Sequence, residues 1–324
     1  MKKFSSVILL VMVAVVLFTG CSSGQVKAED ENTFEIGILQ LAEHPALDDA
    51  RRGFEEGLKE LGIEANIHYQ NASGEIPNTV TIANKFVSDG VDLIYAIATP
   101  AAQSAKQATS DIPVLFSAVT DPVESELVAS MDNPGGNVTG TSDMSPMDKQ
   151  LELFKALDER IENVGIIFNT GEPNSHIQVE FAKKIAPTLG LNIVEVGINN
   201  INDIPLALDS IINKVDALYT ITDNMVASSI SLVANKAIEN GLITVGAESA
   251  HIDGGILITD GISYYELGKQ TARMAKEILV VGKSPADIPV ETAKNTSTVY
   301  NEETLKLLNL DEDHEVFKNA SKIQ

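Results

Sequence analysis

From residue 34 onward, short apolar runs alternate with longer amphipathic stretches. Residues 34–41 form a largely apolar run that predicts a buried strand. Apolar residues at helical spacing follow it, at Leu47, Ala50, Phe54, Leu58 and Leu61. The alternation of strand and helix continues along the chain, which is typical of parallel sheets. The pattern therefore predicts an α/β fold with doubly wound sheets.

The second half of the chain repeats the first. Residues 91–98 (Val-Asp-Leu-Ile-Tyr-Ala-Ile-Ala) match residues 215–222 (Val-Asp-Ala-Leu-Tyr-Thr-Ile-Thr), and residues 112–116 match residues 242–246. Two similar units in tandem predict two Rossmann-like lobes of like topology that face each other across a cleft. Ligands of open parallel sheets bind at the carboxyl ends of strands, so we expect the site in that cleft.

The predicted lobes exchange segments more than once. We expect residues 34–142 with 262–284 to form the N-terminal lobe, and residues 143–261 with 285–324 to form the C-terminal lobe. A helix predicted over residues 264–281 begins with a capping box and returns the chain to the first lobe. Several crossings between lobes make a multi-segment hinge.

The N-terminus has the order of residues found in secretory signals. Lys2 and Lys3 precede an apolar run over residues 7–18, which ends in Phe-Thr-Gly followed by Cys21. This order resembles a bacterial lipobox, although Phe18 stands where an aliphatic residue is usual. We expect a signal peptide over residues 1–20, lipid attachment at Cys21 and a flexible tether over residues 21–33. The run is shorter than the roughly 20 residues that span a bilayer. The protein is then exported and lipid-anchored on the extracytoplasmic face of the cell membrane.

Composition argues against several classes of function. The 324 residues include 46 acidic and 23 basic ones, so the net charge of −23 disfavours nucleic-acid binding. Cys21 is the only cysteine, which leaves no thiol for a disulfide, a nucleophile or a metal site in the folded part. No phosphate loop or nucleophile elbow is present, and the five histidines lack metal-ligand spacing. We therefore expect a non-enzyme without cofactor or metal.

Two segments carry a resemblance to a known family. Residues 117–123 read Ser-Ala-Val-Thr-Asp-Pro-Val, and residues 133–142 read Asn-Pro-Gly-Gly-Asn-Val-Thr-Gly-Thr-Ser. They resemble the ABC transporter substrate-binding family that includes the tryptophan-binding lipoproteins. The resemblance implies a type I periplasmic-binding-protein fold, delivery of a solute to the transmembrane subunits of an ABC permease and, as in characterised relatives, an aromatic amino acid ligand. Other members of the family bind other small molecules.

A carboxylate site is predicted where strands of the first lobe end. Thr99 can cap the helix that follows its strand, and a helix N-terminus offers unpaired N–H groups to an anion. Ser117 and Thr120 lie between the next strand, which we expect to end at residue 116, and its helix, so their hydroxyls can complete the site. Asp121 belongs to the same set of candidate ligand-binding residues, and it is also expected to cap that second helix. For each of these residues the alternative is ordinary cap or turn chemistry.

An ammonium group needs acceptors, which acids at strand ends can supply. Asp223 and Glu248 follow strands of the second lobe, and Asp143 lies near the crossover between the lobes. A buried acid is stabilised when a cation arrives, because buried charges are costly unless they are paired. The alternative for each of the three is a solvated surface acid.

Polar side chains in two equivalent loops are expected to read the ligand side chain. Gln40 and His44 follow the first strand, and Asn169 and Asn174 follow its counterpart in the second lobe. Both loops should face the cleft from opposite sides. The aromatic residues are expected to be mainly core.

Three functions remain open on the sequence. The first is a monomeric carrier that captures an amino acid, with tryptophan or another aromatic amino acid as the preferred ligand. The second is a carrier for a different small solute, and the third is a sensor that signals through a membrane receptor. A DNA-binding regulator of the same two-lobe shape is disfavoured, because an export signal stands where a helix-turn-helix would precede the body.

Overall fold

The computed structural model describes residues 33–323. The predicted signal peptide, Cys21 and all of the predicted tether before residue 33 lie outside the described residues. Within the described part, no helix is both long and apolar enough to cross a membrane.

Strands and helices alternate along most of the described chain. The strands are β1 (Phe34–Gln40), β2 (Ala65–Asn71), β3 (Leu93–Ile97), β4 (Val114–Val119), β5 (Val138–Ser142), β6 (Asn163–Asn169), β7 (Asn192–Ile198), β8 (Ala217–Thr220), β9 (Ile243–Gly246), β10 (Ile258–Gly261), β11 (Glu291–Thr292), β12 (Ser297–Asn301) and β13 (Ser321–Ile323). The helices are α1 (Pro45–Glu60), α2 (Ile76–Asp89), α3 (Thr99–Ala108), α4 (Met147–Leu157), α5 (Pro173–Ile185), α6 (Ile204–Ile211), α7 (Asn224–Ala227), α8 (Ile230–Glu239), α9 (Ala250–Asp253), α10 (Tyr264–Leu279), α11 (Glu302–Leu307) and α12 (Glu315–Lys318). Short 3₁₀ helices cover Ala186–Leu189, Ile201–Asp203 and Pro285–Asp287.

The strands form two sheets with the same internal order. The first sheet runs β11-β5-β4-β3-β1-β2, and the second runs β13-β12-β10-β9-β8-β6-β7. Five consecutive strands of each sheet, β5-β4-β3-β1-β2 and β10-β9-β8-β6-β7, therefore correspond one to one. These strands pair in parallel, whereas β12 pairs antiparallel with β10. The predicted α/β fold of two doubly wound lobes is confirmed.

The apolar stripe predicted for the first helix faces the core. In α1, Leu47, Ala50, Phe54 and Leu58 are all buried, and Phe54 stacks on Tyr95 of β3 with ring centroids 4.0 Å apart. Helix α10 packs beside α1 on the same face of the first sheet. The first lobe is thus covered on this face by one local and one returning helix.

Glycine allows α1 and α10 to approach closely. A Cβ atom at Gly53 would lie 2.0 Å from the carbonyl oxygen of Tyr265, and one at Gly268 would lie 2.1 Å from that of Ala50. The two helices therefore touch backbone to backbone, which fixes the position of the N-terminus of α10. The hydroxyl of Ser263 accepts a hydrogen bond from the N–H of Glu266, which is one of the two bonds of the predicted capping box.

The last segment that belongs to the first sheet is longer than predicted. Strand β11 pairs with β5, the carbonyl of Ile288 accepts a hydrogen bond from the Thr139 hydroxyl at 2.7 Å, and Val290 packs in the core beside α2 and α3. The assignment of residues 285–292 to the second lobe is therefore wrong, because these apolar side chains complete the first core. The chain crosses between the sheets after β5, after β10 and after β11.

The region after β4 also differs from its prediction. Strand β4 continues to Val119, with a register shift between Phe116 and Val119. The chain after Asp121 forms turns, and no helix lies between β4 and β5. The Asp121 carboxylate accepts hydrogen bonds from the N–H groups of residues 123 and 124, but Glu126 adopts a left-handed φ of 57°. This conformation stops the helix that the capping pattern predicted.

Candidate ligand-binding site

A small cavity lies between the two lobes. Most of its lining residues stand at the carboxyl end of a strand or in the first turn of the helix that follows, as expected for open parallel sheets. Each of them is at most 8% exposed. The lining residues are His44, Leu47, Ala118, Asp143, Asn174, Thr222, Asp223, Asn224, Ala227, Glu248 and Tyr264.

Side chains of the two lobes meet directly around this cavity. His44 Nε2 of the first lobe lies 3.2 Å from Asn224 Oδ1 of the second. The hydroxyls of Thr120 and Thr222 lie 3.4 Å apart, and Gln178 Nε2 donates to Thr120 Oγ1 at 3.4 Å. These hydrogen bonds join opposite walls of the cleft, so the lobes are in a closed arrangement.

Two carboxylates in the cavity have free acceptor oxygens. The Tyr264 hydroxyl donates to Asp143 Oδ2 at 2.5 Å, but Asp143 Oδ1 and Glu248 Oε2 are buried without a hydrogen-bond partner among the described residues. His251 Nε2 lies 2.9 Å from Glu248 Oε1, although the contact does not have the geometry of a hydrogen bond. Of the described residues that line the cavity, none is lysine or arginine. The pair is therefore arranged to receive a cationic donor.

The electrostatics of this pair follow from its burial. Loss of water, opposed by the Tyr264 hydrogen bond and assisted by the nearby charge of Glu248, raises the pKa of Asp143 to about 6. Burial also raises the pKa of the Tyr264 hydroxyl well above its usual value, so that it stays a donor. Near neutral pH Asp143 is thus largely ionised, and no lysine or arginine among the described lining residues pairs with it.

Asp223 lines the same cavity, but the protein uses its oxygens internally. Its Oδ1 accepts from the N–H of Val226 at 2.9 Å, where it caps α7. Its Oδ2 accepts from the N–H of Asn169 at 2.6 Å and from the Ser175 hydroxyl at 2.7 Å. Burial raises the pKa of Asp223, while these donors oppose that shift. Of the three acids expected to bind an ammonium group, Asp223 is the one whose two oxygens both already accept hydrogen bonds from the protein.

Glu172 organises the second-lobe wall behind the cavity. Burial raises its pKa to about 7, and the charge of Asp223 adds to that effect. Its oxygens accept from Asn169 Nδ2 at 3.1 Å, from the N–H of Met225 at 3.3 Å and from both the backbone and the amide of Asn224. Glu172 therefore orients side chains that reach the ligand space.

The two loops expected to read the ligand contribute unequally. His44 and Asn174 line the cavity, and Asn174 Oδ1 is buried without a partner among the described residues. Asn169 lies in a wider groove next to the cavity. Gln40 lies outside the cavity and donates to the carbonyl of Ala42 at 2.7 Å and to Asp48 at 2.8 Å. Of these four residues, the structure thus brings His44 of one loop and Asn174 of the other to the cavity.

The residues expected to bind a carboxylate lie beside the cavity and do not line it. Helix α3 has Ala98 as its N-cap, so the prediction that Thr99 caps it is wrong, and the Thr99 hydroxyl is buried without a partner among the described residues. Ser117 falls inside β4 on the face covered by α10, where its hydroxyl lies within 2.8 Å of those of Thr141 and Thr271. Thr120 contacts the second lobe as described above, and Asp121 caps its turn outside the cavity.

The backbone is strained where the first-lobe strands reach the cleft. Ala98 has a φ of 88° and Ala118 a φ of 57°, and both follow buried strand positions. Positive φ is rare for residues with a Cβ, and such strain tends to occur at ligand sites. Ala118 lines the cavity. These positive φ angles change the direction of the main chain near the carboxyl ends of β3 and β4.

Tyr264 and Asn224 belong to the cavity but were missed on the sequence. The ring of Tyr264 packs in the first-lobe core, as an aromatic residue at a helix start usually does, while its hydroxyl reaches Asp143. Asn224 directly follows Asp223, so its place next to a strand end was a usable signal. Within residues 33–323, no group of three or more histidine, cysteine, aspartate or glutamate side chains is placed to hold a metal ion.

Comparisons with known proteins agree with this geometry. A family model described as ABC transporter substrate binding protein matches residues 35–324. The tyrosine-binding protein of Clostridioides difficile (strain R20291) is 42% identical over 321 residues, which cover 95% of this chain and 93% of that protein.

Two solved structures differ in how well they superpose on this chain. A Streptococcus pneumonia ABC domain in complex with L-Trp is 34% identical, has a TM-score of 0.85 and is matched over 89% of this chain and 100% of that one. A ligand-free, open substrate binding protein from Clostridium difficile is 43% identical but has a TM-score of only 0.69, over 90% of this chain and 99% of that one. The present structure superposes better on the ligand-bound protein than on the open one, although its sequence is less similar to the former. This agrees with the closed arrangement of its lobes.

These relatives are substrate-binding proteins and not enzymes, and the resemblance found in the sequence is confirmed. On the family match and the identity over nearly the whole chain, this protein belongs to the family of ABC transporter substrate-binding proteins.

Proposed function

We propose that this protein captures an aromatic amino acid, tyrosine or tryptophan, in the cavity between its lobes and delivers it to the permease of an ABC importer. The observation that carries the proposal is the pair of buried carboxylate oxygens, Asp143 Oδ1 and Glu248 Oε2, which have no partner among the described residues. An ammonium group pairs with both. A buried charge without its partner is costly, so the ligand itself stabilises the site.

The rest of the cavity suits a small molecule with an apolar part. Leu47, Ala118 and Ala227 supply apolar walls. The names of the relatives above, one tyrosine-binding and one complexed with L-Trp, support an aromatic side chain. Binding of the ligand carboxylate by Thr99 and Thr120 stays a prediction.

Transport follows from the closed arrangement. Ligand contacts to both walls favour closure, because a ligand shifts a conformational equilibrium by its difference in affinity for the two states. The closed pair of lobes is then the form that the transmembrane subunits recognise. Removal of residues 1–20 and lipid attachment at Cys21 would hold the protein at the outer face of the membrane, within reach of that permease.

Thermal unfolding of the purified protein against the twenty amino acids tests the proposal. A ligand at 100 times its dissociation constant stabilises the folded state by about 2.7 kcal/mol, so tyrosine or tryptophan should raise the unfolding midpoint by several degrees. Glutamate and lysine are the controls, since neither presents an aromatic side chain. A shift with sugars or nucleosides and none with amino acids would show that the ligand belongs to another class.

Affinity for the amino acid should fall as the pH is lowered from 8 to 5. An ammonium favours the ionised form of Asp143, whose pKa is about 6 in the ligand-free site. Binding is therefore linked to proton release, and the dissociation constant should rise by up to about tenfold per pH unit below that pKa. Protonation of Glu172, with a pKa of about 7, acts in the same direction. Titration calorimetry at constant ionic strength measures the effect, and a flat profile between pH 5 and 8 would contradict it.

A further inference from the structure

Four buried side-chain nitrogen or oxygen atoms of the cavity lining have no hydrogen-bond partner among the described residues, and each of them can act as an acceptor. Three of them are oxygens that cannot donate in their ordinary state: Asp143 Oδ1, Glu248 Oε2 and Asn174 Oδ1. The amide of Asn174 is held in this orientation because its Nδ2 donates to the carbonyl of Thr222 at 3.0 Å. The fourth atom is His44 Nδ1, whose role depends on the tautomer of the ring.

The tautomer of His44 follows from its neighbour Asn224. Asn224 Nδ2 donates to Glu172 Oε2, which also accepts from the backbone N–H of Asn224. The opposite amide orientation would place two acceptor oxygens in contact. Asn224 Oδ1 must therefore face His44 Nε2, 3.2 Å away, and Nε2 must carry the hydrogen.

Above its pKa of about 7, Glu172 is ionised and cannot donate to Asn224, so it does not reverse this polarity. Its second oxygen is already occupied by the amide of Asn169 and the N–H of Met225. The ring of His44 is neutral as well, since burial lowers its pKa and outweighs the nearby charges of Glu248 and Asp48. A neutral ring protonated at Nε2 has a lone pair at Nδ1, so this atom is a buried acceptor on a residue that lines the cavity.

The cavity has more unpaired hydrogen-bond acceptors than an ammonium group has donors. An ammonium has three N–H donors, and Asp143, Glu248 and Asn174 account for them. The lone pair of His44 needs a fourth donor, because a buried polar group without a partner costs about 1–3 kcal/mol. We propose that His44 Nδ1 accepts a hydrogen bond from an N–H or O–H on the side chain of the ligand, and so selects tyrosine and tryptophan over aromatic amino acids that lack such a donor. This inference rests on the proposed function.

Two matched pairs of ligands isolate the fourth donor. Tyrosine differs from phenylalanine by its hydroxyl, and tryptophan differs from 3-benzothienylalanine by an N–H in place of a sulfur atom. In the wild-type protein, and in whichever pair fits the cavity, we expect the ligand with the donor to bind about 10- to 100-fold tighter. Binding of the ligand without the donor leaves a buried acceptor unpaired. Calorimetry of the full-length protein gives the two dissociation constants.

Two substitutions separate the acceptor from the interlobe contact. His44→Gln keeps a donor that can reach Asn224 but has no acceptor at the Nδ1 position, whereas His44→Asn keeps a group near Nδ1 and loses that reach. We expect the affinity ratio within the pair to fall to about 1–3 in His44→Gln, and to be retained in part in His44→Asn with weaker binding of both ligands. His68→Gln, at an exposed histidine on β2, is the control and should keep the wild-type ratio.

A purely structural role of His44 would weaken both members of a pair equally and leave the ratio unchanged. That result, or a wild-type ratio near one, would overturn the inference while the proposed function stands. Failure of all four amino acids to bind the wild-type protein would overturn both. The wild-type comparison needs no variant, so it can overturn the inference even if a substituted protein does not fold.

Discussion

Asp143→Asn is expected to lower the affinity for the amino acid by about 100-fold, because removal of one partner of a buried charge pair costs about 2–5 kcal/mol. Asp143 is 2% exposed, accepts from Tyr264 through one oxygen and presents the other to the cavity. Asparagine can keep the hydrogen bond from Tyr264 but places no negative charge beside the ammonium. Calorimetry with tyrosine or tryptophan measures the loss.

The same substitution is expected to stabilise the ligand-free protein. The pKa of Asp143 is raised from 3.8 to about 6 in the fold, so the folded state binds the proton more tightly than the unfolded state. The cost of the ionised group is therefore fully present above pH 6 and disappears below pH 4. At pH 7.5 the substitution should raise the free energy of unfolding by about 1–2 kcal/mol, which denaturant titration can detect. At pH 4 the two proteins should be equally stable to within error.

Asp121→Asn is the matched control for this experiment. It makes the same chemical change in an acid that was also predicted to contact the ligand, but that caps a turn outside the cavity. Asparagine caps nearly as well as aspartate, so both affinity and stability should stay close to wild type. Normal affinity in Asp143→Asn would show that the ammonium binds elsewhere, and a loss of stability would show that the buried charge is compensated within the protein.

Gly268→Ala is expected to lower the free energy of unfolding by about 3 kcal/mol or more, since overpacking costs about 1–3 kcal/mol even where side chains can yield. Here the added Cβ would meet the carbonyl oxygen of Ala50 at 2.1 Å. Backbone of a packed helix cannot yield, so α1 and α10 must separate. Alanine favours the helix over glycine by about 1 kcal/mol, which is too little to offset this separation.

The damage should also reach the ligand site. Tyr264 is the first residue of α10 and its hydroxyl donates to Asp143. A shift of α10 therefore moves this donor, and we expect weaker binding in whatever fraction remains folded. Gly136→Ala is the control, because a Cβ at that position meets nothing within 4 Å. Wild-type unfolding behaviour in Gly268→Ala would mean that the two helices have room to spare.

Much of the fold could be predicted because it depends on local patterns. The repeat of residues 91–98 at 215–222 became β3 and β8, which hold the same place in the two sheets. The end of β4 could not be predicted in this way. A bulge keeps the chain in the sheet to Val119, and the left-handed conformation of Glu126 then replaces the expected helix by turns. The carbonyls of Ser125 and Glu126 accept hydrogen bonds from Gln103 and Lys106 of α3, and a local sequence pattern does not show such partners.

The candidate site was predicted in its location more than in its chemistry. Strand ends brought His44, Asp143, Asp223 and Glu248 around one cavity. Which acid keeps a free oxygen depends on partners distant in sequence, since Asp223 is occupied by an N–H and a hydroxyl of residues 169 and 175. The periodicity of apolar residues carries no information about such partners. For the same reason it gave no sign that Tyr264 combines a core ring with a hydroxyl in the cavity.

The burial of the cavity sets the time for which a ligand remains bound. Since each lining residue is at most 8% exposed and contacts such as His44–Asn224 bridge the walls, a trapped molecule leaves only after the lobes part. The residence time can then be no shorter than the waiting time for opening, however low the solute concentration outside. A partner that pulls the lobes apart would govern release directly. Unloading would then be timed by the transporter and would not depend on dilution.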